Sequence, residues 1–336
     1  MSGGVDSSVA AYLLKKEGFD VHGFTLRMWS EDGRCCSRDD IEAAVTVSRK
    51  LGISHAIVDI RKEFEEKVVA YFIDEYKNGR TPNPCGVCNQ MIRFGSFWEQ
   101  IDKFGAEYLA TGHYAKIVSE SGELYLSRAK DKKKSQEYFL SLVSKNHLKR
   151  ILFPLAELAK TDVRNIAQEN DLPVIHRESQ DICFIPDGYT GGFLYKRLGK
   201  NSGDIVDMDD RILGRHNGVW CYTIGQRKGL GLSQSTPLYV VSIDVKRNLL
   251  IVGPKNALSG KRFKLSRINR FTERNLSTLD LTAKIRYATP EIPCRFENNI
   301  VTLSRSVDAI TPGQMGVVYT EGKVMLAGLI ETPIQV

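Results

Sequence analysis

The sequence predicts a doubly wound α/β unit built on a parallel sheet, followed by two small β-rich domains. Three observations carry that prediction. Strand-like and helix-like stretches alternate over the first two-fifths of the 336 residues, and such alternation lays parallel strands between layers of helix. A glycine pair, Gly3-Gly4, runs straight into a helix at the N-terminus. From about residue 200 glycines crowd together and period-two alternation replaces helical spacing, as short antiparallel strands require.

Taken in order, Gly3 and Gly4 let the backbone turn tightly and approach a ligand with no Cβ in the way. Behind them Ala10, Leu13 and Leu14 share a helical face, and Gly18 suits the stop. A helix N-terminus offers N–H groups and the positive end of the helix dipole, which suit phosphate. The missing Gly-Lys-Ser/Thr rules against a Walker A loop. Ser-Gly-Gly with an Asp cap, read alone, is also an ordinary turn. Phosphate loops of this kind follow a buried strand that aims them. The chain opens inside the loop, so the expectation is that this strand is missing, that Met1 is an internal methionine, and that folding and nucleotide binding suffer.

Residues 21–26 read as a strand, 39–51 as a helix and 55–59 as the next strand; Ile41, Ala44, Val45 and Leu51 keep helical spacing and Gly52 ends the helix. Phe64, Val68, Tyr71 and Phe72 mark a further amphipathic helix, and 107–111 a further strand. Ligands on parallel sheets sit at the carboxyl ends of the strands, so residues 27–29 and 112–114 are the expected walls of a site. Residues 238–244 and 249–253 form a hairpin about Asn248, and 299–303 and 317–319 have strand character. The expected divisions are 1–198, 199–258 and 259–336, with a linker near 255–262. No internal repeat and no low-complexity segment occurs.

Hydrophobic and charged contents of 42% and 26% are those of a soluble globular protein. No apolar run reaches the roughly 18 residues that span a bilayer and no signal peptide opens the chain, so the expected location is cytoplasmic, with no membrane partner. A net charge of +7 is compatible with a polyanionic partner. Seven cysteines without a secretion signal speak for thiol chemistry over a disulfide framework. Cys85-x-x-Cys88 suits either half a zinc site or a redox pair; no second such motif occurs, and the adjacent Cys35 and Cys36 could not comfortably share a metal. Cys221 and Cys294 sit in strand-like contexts and read as buried, inert thiols.

Five motifs occur in order: SGGVDSS at 2–8, GRTPNPC at 79–85 continuing to Cys88-Asn89, TGHYA at 111–115, SQDICFIP at 179–186 and YTIGQRKGLG at 222–231. Together they resemble the bacterial tRNA-specific 2-thiouridylases, PP-loop ATP pyrophosphatases of the adenine nucleotide alpha hydrolase-like fold, over essentially the whole chain. The resemblance implies a last domain that is a β-barrel on the tRNA side. It also implies ATP with Mg2+, bound by Ser2, Gly3, Gly4, Val5, Asp6 and Ser7, with Leu26 on the adenine side and Gly112 as a second contact. Asp6 would favour magnesium or a phosphate-side contact.

The implied reaction is adenylation of O2 of wobble uridine-34, then sulfur delivery from a persulfide on Cys183, with Cys88 closing a disulfide. Both thiols would then lie in electropositive, accessible surroundings. The sulfur would come from a persulfide donor such as a cysteine desulfurase or a sulfur-relay protein. The implied tRNA contacts are Asn83, Pro84, Cys85, His113, Lys134, Ser135, Gln136, Arg286, Tyr287 and Gln314. Cys85 stands where the family often has Asp, and Ser135 and Glu137 depart from a Lys-Asp-Gln-Ser-Tyr-Phe pattern. If Cys85, Cys88 and Cys183 converge, three thiolates with a vacant position could hold an iron–sulfur cluster. Basic clusters at 130–134, 145–150 and 261–270 suit a structured RNA held by its phosphates, or are solvated faces. An amide-forming synthetase of the same superfamily would need no thiol pair, and a non-catalytic RNA binder would need neither cysteine.

Overall fold

The computed structural model describes residues 1–29, 37–175, 182–185, 188–233 and 235–334; Cys35, Cys36 and residues 179–181 and 186 of the SQDICFIP stretch lie outside them. The first part alternates as expected. Helix α1 (Val5–Lys16) is followed by β1 (His22–Arg27), α2 (Arg38–Leu51) and β2 (Ser54–Asp59). Ser37 and Asp40 cap α2 reciprocally, and Gly52 ends it at φ 60°, a left-handed conformation that glycine adopts without strain. Next come α3 (Arg61–Phe64), a π-helical stretch over Glu65–Val69 and α4 (Ala70–Lys77), then α5 (Pro84–Cys88), a second π-helical stretch over Asn89–Ser96 and α6 (Phe97–Phe104).

The strand anticipated over 107–111 shortens to β3 (Leu109–Ala110). After it comes a hairpin not anticipated from the sequence, β4 (Ala115–Glu120) and β5 (Glu123–Arg128), then α7 (Glu137–Leu140), β6 (Ile151–Leu152), α8 (Lys160–Glu169) and α9 (Thr190–Leu198). Among the described residues of this first part, β1 pairs in parallel with β2 and β3 with β6. Gly4 bridges Ile175 in parallel, and Met1 donates its amino group to the Phe24 carbonyl of β1. The first residues therefore run beside the parallel strands, so that the Gly-Gly turn opens at their carboxyl ends.

A small sheet follows, ordered β8 (Ile212–His216), β7 (Gly203–Val206), β10 (Leu249–Gly253), β9 (Tyr239–Asp244). Asn248 takes the hairpin turn at φ 53°. The linker anticipated over 255–262 is a single 3-10 turn, Lys255–Leu258, and the chain is already in β11 (Ser259–Arg270) at residue 259. β11, β14 (Ile300–Asp308), β13 (Ile292–Glu297), β12 (Leu281–Lys284), β15 (Met315–Thr320) and β16 (Lys323–Ile334) pair in that order, and β16 pairs back to β11, which closes a six-stranded barrel. The β4–β5 hairpin joins the same sheet, with Ser127 opposite Lys323. Its Tyr125 and Leu126 are buried in one cluster with barrel residues such as Phe271, Tyr319 and Leu326.

Candidate active site

The phosphate loop is built from its own backbone. Gly3 sits at φ 70°, and a Cβ there would meet the Asp40 carbonyl at 2.4 Å, so the turn lies pressed against α2. Gly4 is the N-cap of α1 and makes no side-chain cap. Ser7 Oγ accepts from the Ser2 amide at 3.1 Å and donates to the Gly4 carbonyl at 3.2 Å, which folds residues 2–7 into a ring around the helix start. A turn of this shape directs N–H groups and the positive dipole end at an anion. Val5 is buried and holds the loop to the core, and Leu26 is half-buried in β1.

Asp6 does not face an open space. Lys160 Nζ donates to both its carboxylate oxygens at 2.6 and 2.7 Å, and the Tyr114 hydroxyl donates at 2.8 Å. Lys160 opens α8, and its ammonium also lies 5.7 Å from the centre of the Tyr114 ring. The carboxylate anticipated on the metal or phosphate side is thus tied to a cation of the chain, aimed at the loop. Gly112 lies against this group: a Cβ on it would meet the Asp6 carbonyl carbon and the Ser7 nitrogen at 2.8 Å each. Nothing local in the sequence marks Lys160, so it was missed.

The fold brings the two anticipated thiols together. Pro84 at the helix start and Asn83 as N-cap, accepting from the Gly86 amide at 3.1 Å, begin α5. That short helix turns Cys88 into an apolar cluster with Phe184 and Ile185, against which Cys183 packs. Cys88 is 9% exposed and Cys183 half-buried, so the accessible surroundings expected of both do not hold for Cys88. Aromatic packing encloses it: Trp29, Phe64, Phe72 and Phe184 meet ring to ring in the same cluster. Met28 and Trp29, expected walls, are buried there.

Cys85 is solvent-exposed on one side, but surrounding protein, then the neighbouring Cys183 and Cys88, push its thiol up to about 12, against a smaller pull from Arg93. It is therefore a neutral thiol at physiological pH. Arg93, on the π-helical stretch after Cys88, also helps burial push His113 down to about 3, and His113 shares a hydrogen bond of 2.9 Å with Thr111. Arg93 thus acts on both Cys85 and His113, and Cys85 also senses Cys183. Among the described residues no three His, Cys, Asp or Glu side chains are placed to hold a metal ion. The iron–sulfur set anticipated on Cys85, Cys88 and Cys183 does not fit as these residues stand.

The remaining anticipated residues knit the parts together. Gln136 accepts from the Tyr114 amide at 3.0 Å and returns its own amide to the Tyr114 carbonyl at 2.6 Å. Ser135 is buried and donates to Glu137 at 2.6 Å; hydroxyl and carboxylate have exchanged places relative to the resembled pattern, and the pair is kept. Lys134 donates its amide to Asp131. Gln314 donates to the Thr81 carbonyl at 2.8 Å, fastening the barrel to the 81–84 turn. Arg286 is half-buried, bonded to Thr311 at 2.7 Å, and Tyr287 packs on Phe139 with ring centres 4.6 Å apart.

Residues 1–187 match the family described as tRNA methyl transferase HUP domain, 191–254 its PRC-barrel domain and 260–330 the aminomethyltransferase beta-barrel domain. The chain is 44% identical to a tRNA-specific 2-thiouridylase MnmA of Thermoanaerobacter sp., over 100% of this chain and 97% of that one. It is 38% identical to that of Clostridium acetobutylicum, over 98% and 97%. A solved structure, the U34-tRNA thiolase NcsA from Methanococcus maripaludis with its [4Fe-4S] cluster, shares 20% identity over 59% of this chain and 65% of that one, at a TM-score of 0.37, too distant to inform the site. A phosphate loop, a thiol pair at one apolar cluster and a closing barrel, matched along their whole length at this identity, place the chain in the tRNA-specific 2-thiouridylase family.

Proposed function

We propose that this protein is a sulfurtransferase that converts wobble uridine-34 of tRNA to 2-thiouridine at the cost of ATP. The observation that carries the reading is the meeting of Cys88 and Cys183 from distant parts of the chain in one apolar cluster. ATP with Mg2+, phosphates on residues 2–7 and Lys160 beside them, would convert the uridine O2 into an AMP leaving group and release pyrophosphate. The terminal sulfur of a Cys183 persulfide would then attack C2 and displace AMP. Attack of the Cys88 thiolate on Cys183 Sγ breaks the S–S bond, leaves sulfur on the uridine and forms a Cys88–Cys183 disulfide. An external thiol reductant resets the pair.

Burial of Cys88 suits the second step, since a thiol kept from solvent reacts only with the sulfur brought to it. Methyl transfer, which the family description names, is the less fitting reading: transfer from a methyl donor has no use for a phosphate loop. The persulfide would be supplied in the cytoplasm by a cysteine desulfurase or a relay protein, and Asn83, Pro84, Cys85, His113, Lys134, Ser135, Gln136, Arg286, Tyr287 and Gln314 would line the tRNA side. Mass spectrometry of wobble uridine from a strain lacking the protein, complemented with wild type, Cys88→Ser or Cys183→Ser, tests the reading. Wild type alone should restore 2-thiouridine, while purified variants still bind tRNA; 2-thiouridine restored by Cys88→Ser would refute the two-thiol step.

A further inference from the structure

The segment 130–136 is tethered at both ends to the group that holds the phosphate loop. At one end, Asp131 Oδ1 accepts from the Lys133 and Lys134 amides at 3.1 and 3.3 Å, while its Oδ2 accepts from the Lys160 amide at 3.0 Å. The first two bonds shape the segment itself. The third reaches across to the first residue of α8, whose side chain grips both oxygens of Asp6. At the other end, Gln136 clamps the backbone of Tyr114 in both directions, and Tyr114 is the second donor to Asp6. Lys160 and Tyr114, which hold Asp6, are therefore both positioned by one short segment. At and between the tethers, Lys130, Lys132 and Lys133 are exposed to solvent, a row of cations suited to backbone phosphates.

We propose that Asp131 is a positioning residue through which the segment 130–136, once it holds RNA, sets Lys160 against Asp6 at the phosphate loop, so that adenylation follows RNA binding. This rests on the tRNA reading given above. Its chemistry is a change of geometry alone: phosphates drawn onto Lys132 and Lys133 tighten the turn whose amides Asp131 accepts, and the same carboxylate carries that change to Lys160. Gln136 does the same for Tyr114 from the opposite end.

The test uses the full-length protein, ATP, a cysteine desulfurase with cysteine as the persulfide source, a thiol reductant and an unmodified tRNA transcript carrying a wobble uridine, and reads AMP release. Asp131→Asn keeps the shape but presents an N–H where an amide was accepted. At saturating tRNA it should lower kcat about tenfold while the tRNA Kd stays within about twofold. Lys160→Met should lower kcat further, and Asp131→Asn added to it should do no additional harm, because a residue acting through Lys160 is silent once Lys160 is gone. Lys160→Arg, which keeps the cation, should recover most of the rate. Multiplying losses in the double variant, or a loss in Kd with kcat unchanged, would overturn the proposal. If Asp131→Asn does not fold, Gln136→Ala against Tyr114→Phe is read for the same non-additivity. Unchanged tRNA affinity in Lys132→Gln/Lys133→Gln would refute the RNA contact separately, since the Asp131–Lys160 coupling is measured in kcat alone.

Discussion

Replacing Gly112 by alanine puts a methyl group where the chain has no room for one. It would meet the Asp6 carbonyl carbon and the Ser7 nitrogen at 2.8 Å and the Asp6 oxygen at 3.0 Å. All three are backbone atoms in the first turn of α1, so no side-chain rotation relieves the contact. Either residues 111–113 or the phosphate loop must move by several tenths of an ångström. Overpacking of this kind costs about 1–3 kcal/mol, and in a domain of this size each kcal/mol lowers the melting temperature by about 2–4 °C. Because the displaced atoms belong to the loop, ATP affinity should fall with stability. Gly4→Ala is the contrast: the nearest atom to its Cβ is the Ser2 hydroxyl at 3.5 Å, ordinary contact, so stability should stay within about 0.5 kcal/mol. Differential scanning fluorimetry with and without ATP reads both. A Gly112→Ala protein with unchanged melting temperature and unchanged ATP affinity would refute the close packing of the two loops.

His113 gives a pH signature. Burial, then Arg93, holds its pKa near 3, below the ordinary 6.5; the unfolded chain takes up a proton that the folded one refuses, so stability falls as pH drops from about 6.5 toward 3. One such proton is worth about 1.4 kcal/mol per pH unit, and His113→Gln should remove that slope from urea unfolding between pH 6 and 4.5; parallel slopes would refute it. Cys85, pushed up to about 12, should resist iodoacetamide through about pH 9 despite its exposure, and rapid labelling by peptide mass spectrometry would show a thiolate instead. Gln314→Ala should cost about 1 kcal/mol by releasing the Thr81 carbonyl; an unchanged melting temperature would refute this fastening of the barrel.

What the sequence revealed follows how local each signal is. The helix ending at Gly52 and the turn at Asn248 were legible because cap and turn chemistry lie within a few residues. The β4–β5 hairpin was not: its apolar residues fall side by side, Ile117 with Val118 and Leu124, Tyr125 and Leu126 in a row, with no clean period of two. A lone hairpin is marginal, and the partner that makes this one stable, β16, lies at the far end of the chain. β11 was concealed differently. Its outward basic residues, Lys261, Arg262, Lys264, Arg267 and Arg270, read as a charge run, while Phe263 and Leu265 between them face the barrel interior. In the candidate site, the motifs singled out Cys88 and Cys183, which the fold brings to one cluster. Lys160 and Arg93 were not, because each matters only through a neighbour that the fold supplies.

The sharing of one sheet by the hairpin and the barrel has a consequence for synthesis. β5 leaves the ribosome early, but the strand it meets, β16, is made last. At about 5–20 residues per second, the roughly 200 residues between them take about 10–40 s to translate. During that interval the outer edge of β5 lacks its native partner strand and Tyr125 and Leu126 lack the cover the barrel gives them, and an uncovered edge invites pairing with other chains. The nascent N-terminal domain therefore waits, half-finished, for its own C-terminus, and chains stalled or truncated before residue 323 should aggregate rather than accumulate as a folded nucleotide-binding domain.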